Sequence, residues 1–253
     1  MAPGWLGVLA WITIASGFIT AGAIAYDMYG RGNRQAMSVM AAVWPLTALY
    51  LGPFGWLAYV RLGRPVYSPH APVMIGAPTM HMSMAGQEEL PGRLGVAVTA
   101  THCGAGCALG DVIGEWIVFG AALTIAGHAL WAEYIVDFAF GYVFGIGFQY
   151  WAIKPGSSLT PLAALRNAIA ADTLSVVTFE AGMFAWMAIF QRVLFPQLLP
   201  NDPAYWLMMQ IAMVIGLAAT YPAQVWLINH GIKERMGRPV RRPRSALGAR
   251  AAH

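Results

Sequence analysis

The sequence predicts an all-α polytopic transmembrane helical bundle of about six spans, with both termini cytoplasmic. Three observations predict it. Charged residues make up 10% of the 253-residue chain and hydrophobic ones 58%, whereas a soluble domain carries about 25% charged residues. Six apolar segments are long enough to cross a hydrocarbon core about 30 Å thick. Lysine and arginine gather in the segments that a six-span path places on one side, which marks that side as cytoplasmic.

The first span runs from about Gly4 to Tyr26. No basic residue precedes it in Met1-Ala2-Pro3-Gly4, so it reads as an uncleaved span and not as a signal peptide. The second runs from about Met37 to Val60, with a kink expected at Pro45. Residues 1–60 thus form a two-helix transmembrane hairpin. Residues 61–93 are polar and rich in Pro, Met and His, and form a cytoplasmic loop. The third span covers about Leu94 to Gly120, the fourth Ala129 to Trp151, the fifth Pro161 to Phe190 and the sixth Pro203 to Ile228. Residues 94–232 therefore form a four-helix transmembrane domain. The tail, 233–253, carries Arg241, Arg242 and Arg244 around Pro239 and Pro243, and is expected to be disordered. On this path only Arg31, Arg34 and Arg192 fall outside. The tail, the 61–93 loop and the pair Lys154 and Arg166 hold the other twelve basic residues. The formal net charge of +4 sits mostly in that tail, so it records membrane orientation and does not point to nucleic acid.

Chemistry concentrates in the third span. Cys103, Cys107, Asp111 and Glu115 recur every fourth residue and form one slowly drifting stripe on a helix. Gly106, Gly110 and Gly114 recur beside them and offer a flat surface for a neighbouring helix. The same surface fits a second copy of the chain or a partner in a membrane complex. A disulfide between cysteines one turn apart on a helix is disfavoured, because their side chains are directed alike; thiols or metal ligands fit better. Imidazole and thiolate suit Cu(I) and Zn(II), so His102, Cys103, Cys107 and Asp111 are the candidate metal ligands. His102 points about 100° away from Cys103 on an ideal helix and joins them only if the glycines allow a local distortion.

Acidic residues occur in three spans: Asp111 and Glu115, Glu133 and Asp137, and Asp172 and Glu180, six of the eleven in the chain. No Lys or Arg lies deep in those spans. Six such carboxylates cannot all be ionised and dry; protons, water or a cation must compensate them. Glu115, Glu133, Asp137, Asp172 and Glu180 are the candidate cation and proton path. A second metal locus is the loop with His70, Met74, Met80, His81, Met82 and Met84, whose thioethers and imidazoles favour Cu(I). Gly141, Gly145 and Gly147 in the fourth span read as a packing face. No phosphate-binding loop, nucleophile elbow or zinc-protease motif is present, so no nucleotide cofactor is expected and hydrolases rank low.

The run His102-Cys103-Gly104-Ala105-Gly106-Cys107-Ala108-Leu109-Gly110-Asp111 resembles an uncharacterised family of bacterial polytopic membrane proteins, known as a domain of unknown function. Phe148-Gln149-Tyr150-Trp151-Ala152-Ile153 and the stretches Ala171 to Ser175 and Phe179 to Met183 carry the same resemblance, which covers Leu94 to Ile232. It implies a multi-pass protein of the bacterial plasma (inner) membrane, embedded in lipid, and implies no activity. Three functions fit these readings. The first is handling of a transition-metal cation, copper foremost, by transport or delivery through the thiol, imidazole and carboxylate groups. The second is a membrane redox enzyme or its subunit with an intramembrane metal or haem, although His128 and His230 fall near opposite interfaces. The third is a non-catalytic structural subunit.

Overall fold

In the computed structural model, residues 3–67, 87–196 and 198–241 are described. Seven α-helices form a bundle: α1 (Gly4–Tyr29), α2 (Met40–Leu51), α3 (Pro53–Ala58), α4 (Gly92–Gly120), α5 (Ala129–Ile153), α6 (Pro161–Ile189) and α7 (Pro203–Asn229). α1, α4, α5, α6 (with the π-helical turn that extends it to Leu194) and α7 are long and apolar enough to cross a membrane, so the chain is a multi-pass membrane protein. α6 and α7 begin as their sequences dictate. Thr160 and Asp202 accept hydrogen bonds from Ala163 N and Ala204 N, each just before a proline that opens the helix. α4 is the central helix, with 78% of its apolar window buried against 22–39% for the other four spans.

The all-α bundle is as expected, but the path of the second segment is not. Met37 to Val60 was expected to be one kinked span. Pro45 lies inside α2 without ending it; the break comes at Gly52, whose φ of +54° is open only to glycine at low cost. There the chain reverses. A Cβ on Gly55 would stand 2.8 Å from Ala48 Cα, and the Trp44 and Tyr59 rings lie 5.8 Å apart, whereas fifteen residues of straight helix would separate them by about 22 Å. α2 and the returning α3, continued by the π-helical turn Tyr59–Gly63, therefore form a re-entrant hairpin that enters and leaves at one end of the bundle.

The anchor of that hairpin is Asp27, buried at the last turn of α1. Its carboxylate accepts from the Tyr59 hydroxyl at 2.9 Å, Asn33 Nδ2 at 2.9 Å and Arg64 at 3.2 Å. Nearby, Arg238 on β3 donates to the Arg64 carbonyl at 2.9 Å. β3 (Arg238–Arg241) is the centre of a small sheet, flanked by β1 (Val66–Tyr67), parallel to it, and β2 (Gln87–Glu88), antiparallel. The part of the tail from Lys233 to Arg241, expected to be disordered, is thus a structured strap that ties together the two ends of the 61–93 segment. The low hydropathy that suggested disorder is offset here by backbone pairing and by burial of Lys233 and Met236.

The reversal also moves one terminus. Leu6 and Ala10 pack with Leu198, Tyr205, Met208 and Met209, at the far end of the bundle from Arg238. Five crossings and one hairpin put the start of α1 and the strap at opposite ends of the bundle. The corrected path sharpens the charge bias. Of the twelve described Lys and Arg residues, Arg31, Arg34, Arg61, Arg64, Arg93, Lys154, Arg166, Lys233, Arg235, Arg238 and Arg241 lie at one end, and Arg192 alone lies at the other. Arg31 and Arg34 were exceptions on the six-span path and are none on this one.

Candidate functional site: a buried carboxylate and thiol seam

Small residues bring α4 and α5 together. A Cβ on Gly106 would lie 2.8 Å from Gly145 Cα, and one on Gly110 would collide with the backbone of Phe140 and Gly141. Gly114 faces Asp137 in the same way. The glycine stripe of α4 and the glycine face of α5 are therefore partners within one chain. Gly147 is the exception, with open space at its Cβ position.

Polar groups line the seam beside that contact. Where Gly141 lacks a side chain, a Glu180 carboxylate oxygen from α6 and Asp111 Oδ1 from α4 approach the same spot, the latter 3.4 Å from the Cβ position. Both carboxylates are buried and face each other. One turn outward, the Glu115 and Asp137 carboxyls and the Tyr205 hydroxyl adjoin one another. Farther out, Glu133 accepts from Gln191 Nε2 at 2.8 Å, and the same amide reaches the Tyr205 hydroxyl at 3.5 Å. The five acids thus form a file from the outer end of α5 to the middle of α4. Among the described residues, no Lys or Arg forms an ion pair with any of them. As a dry set they are tolerable only with protons or a cation among them.

The thiols continue the file inward. Cys103 and Cys107 are free, buried and adjacent to each other, and Cys107 adjoins Glu180. The re-entrant hairpin reaches this level with Tyr50, whose hydroxyl lies 3.4 Å from the Cβ position of Gly104 and beside both thiols. Nothing in an apolar run singled Tyr50 out, since its place beside the thiols is set by the packing of α2 against α4.

Of the expected ligands, Cys103, Cys107 and Asp111 come together, and Glu180, expected on the path, joins them. His102 does not. Its ring lies 6.4 Å from the Phe148 ring and meets the Phe148 backbone, on the side of α4 that faces Asp172 and Lys233. No group of three or more His, Cys, Asp or Glu side chains among the described residues is arranged to hold one metal ion. Asp172 stands apart from the outer file. It forms a wholly buried ion pair with Lys233, which follows α7 and folds back into the bundle. Lys233 lies beyond the spans in the sequence, and only the fold-back after α7 brings its charge to Asp172. His70, Met74, Met80, His81, Met82 and Met84 lie outside the described residues.

Comparisons with curated proteins and with solved structures find no match. A family match does cover residues 95–233, more than half of the chain and all of the seam that α4 to α7 build. The chain accordingly belongs to the family described as Domain of unknown function (DUF4396).

Proposed function

We propose that this protein handles a transition-metal cation, Cu(I) or Zn(II), moving it or handing it on through the seam in exchange for protons. The observation that carries the reading is the meeting of the Asp111 and Glu180 carboxylates with the Cys107 thiol. There, buried groups that all favour a cation when deprotonated adjoin without any base. Two sulfurs one turn apart are enough to hold a soft ion, and the flanking carboxylates take up the protons that the thiols release. The outer acids, Glu133, Asp137 and Glu115, concentrate cations at the mouth. On this reading the basic end faces the cytoplasm of the bacterial inner membrane.

The test is the metal content of purified protein after loading with Cu(I) or Zn(II). The pair Cys103→Ser with Cys107→Ser is expected to lose the bound ion stoichiometrically. His102→Ala is expected to keep it, because the imidazole lies on another face. Undiminished content in the double serine variant would remove the thiol site. Binding should also weaken as pH falls, since protons compete for the thiolates.

A further inference from the structure

A second polar level lies inward of the seam, where α4, α6 and α7 meet. It takes no part in the thiol and carboxylate site. Its centre is the Asp172–Lys233 ion pair, with both side chains wholly buried. His102 of α4 faces this pair. From α7 comes Gln224. Thr220 donates to the Ser175 carbonyl at 2.9 Å, which fixes the antiparallel register of α6 and α7 and sets Gln224, one turn on, level with Asp172, one turn back. The level is short of partners. The His102 imidazole meets the Phe148 backbone with at most one of its two nitrogens, while both amide atoms of Gln224, Asp172 Oδ2 and the Ser175 hydroxyl make no hydrogen bond among the described residues, and all four side chains are fully buried. Orphaned polar atoms at this density in a protein interior are costly, and their donor set of imidazole, carboxylate, amide and hydroxyl is that of a site for a borderline divalent cation.

We propose that Asp172, His102 and Gln224 form a second, inner cation site, and that Lys233 is a tethered stand-in that occupies it when the cation is absent. An ammonium on a four-carbon stem compensates the carboxylate as a metal ion would. Among the described residues it bonds Asp172 and does not reach the Gln224 amide, whose oxygen stays unsatisfied. An arriving cation satisfies Asp172, that oxygen and the remaining His102 nitrogen together, and releases Lys233. Lys233 is five residues from Arg238, which opens β3, and Met236 N between them donates to Thr99 Oγ1 of α4 at 3.0 Å. Displacement of the ammonium therefore pulls on the strap that closes the basic end. Occupancy of the inner site and opening toward the basic side become one event, which is what a carrier needs to avoid an open pore.

This inference rests on the cation-handling reading, and the experiment separates the two. Zn(II) is titrated into full-length protein in lipid nanodiscs, with Cys103→Ser and Cys107→Ser present to remove the thiol site, and the inner site is read as the difference that Asp172→Asn makes. In that background Lys233→Met removes the ammonium and keeps most of the stem. It is expected to bind one Zn(II) about tenfold or more tighter than the background alone, and Asp172→Asn added to it is expected to abolish the gain. A folded Lys233→Met protein with no gain, or a gain that survives Asp172→Asn, overturns the inner site. In either case Zn(II) binding by the protein with both cysteines still reports on the proposed function separately. If Lys233→Met fails to fold while Lys233→Met with Asp172→Asn folds, Zn(II) present during purification should rescue the single variant, and a failure of rescue overturns the proposal. If neither variant folds, Lys233 serves the fold and the stand-in role is rejected.

Discussion

At the scale of the residue, the seam sets function against stability. Asp111 is wholly buried against the Glu180 carboxylate, and among the described residues no Lys or Arg pairs with it, so the fold gains nothing from its charge. Asp111→Asn should leave stability unchanged or raise it by about 1 kcal/mol while abolishing cation handling; thermal unfolding in detergent and metal binding, measured on one sample, check both halves. Gly110 behaves in the opposite way. A Cβ there meets the Phe140–Gly141 backbone, which cannot rotate aside. Gly110→Ala should therefore cost about 1–3 kcal/mol and widen the α4–α5 contact, seen as a lower unfolding midpoint. Both residues were legible in the sequence, because the four-residue spacing of acids, thiols and glycines needs only helical geometry to be read. His102 shows the limit of that legibility. Its angle from Cys103 could be read from the helix, but its real neighbours, Asp172 and Lys233, are set by packing of α6 and by a fold-back after α7.

At the scale of the element, the re-entrant hairpin is the feature that hydropathy could not resolve. An apolar run of some two dozen residues reads alike whether it crosses the bilayer or turns back, and Pro45 drew attention away from Gly52. The reversal shows itself only in tertiary contacts, chiefly the bonds that Asp27 accepts from Tyr59 and Arg64. Removing a buried carboxylate that has three partners leaves an arginine and two further donors unsatisfied. Asp27→Ala is expected to cost about 3–5 kcal/mol and to free the hairpin, read as faster proteolysis between α3 and α4. Gly52→Ala should cost about 1–3 kcal/mol, because alanine must adopt the strained backbone of the turn, and should displace Tyr50 from the thiols. The basic strap was misread for a related reason. Composition alone treats Lys233 to Arg241 as solvent-exposed, whereas β1 and β2 supply its backbone partners from sequence more than a hundred residues away.

At the scale of the whole molecule, five crossings and a hairpin make the bundle asymmetric, with the five acids of the file toward one end and eleven of the twelve described bases at the other. The path itself is open to a direct check. A cysteine at Gly4 should react with a membrane-impermeant reagent added to intact cells, while cysteines at Arg34 and Ser157 should not. The six-span path requires the reverse for Gly4 and Arg34. On the proposed function, the acidic file and the thiols inward of it form a route with a direction. The most direct measurement of that claim is flux. Protein reconstituted in liposomes, with Zn(II) outside and a metal-sensitive dye and a pH-sensitive dye inside, should show saturable Zn(II) entry accompanied by loss of protons from the lumen. Glu180→Gln, folded and inserted, should show neither. Zn(II) entry that is unchanged in Glu180→Gln, or wild-type protein that neither passes nor retains the ion, would contradict the account.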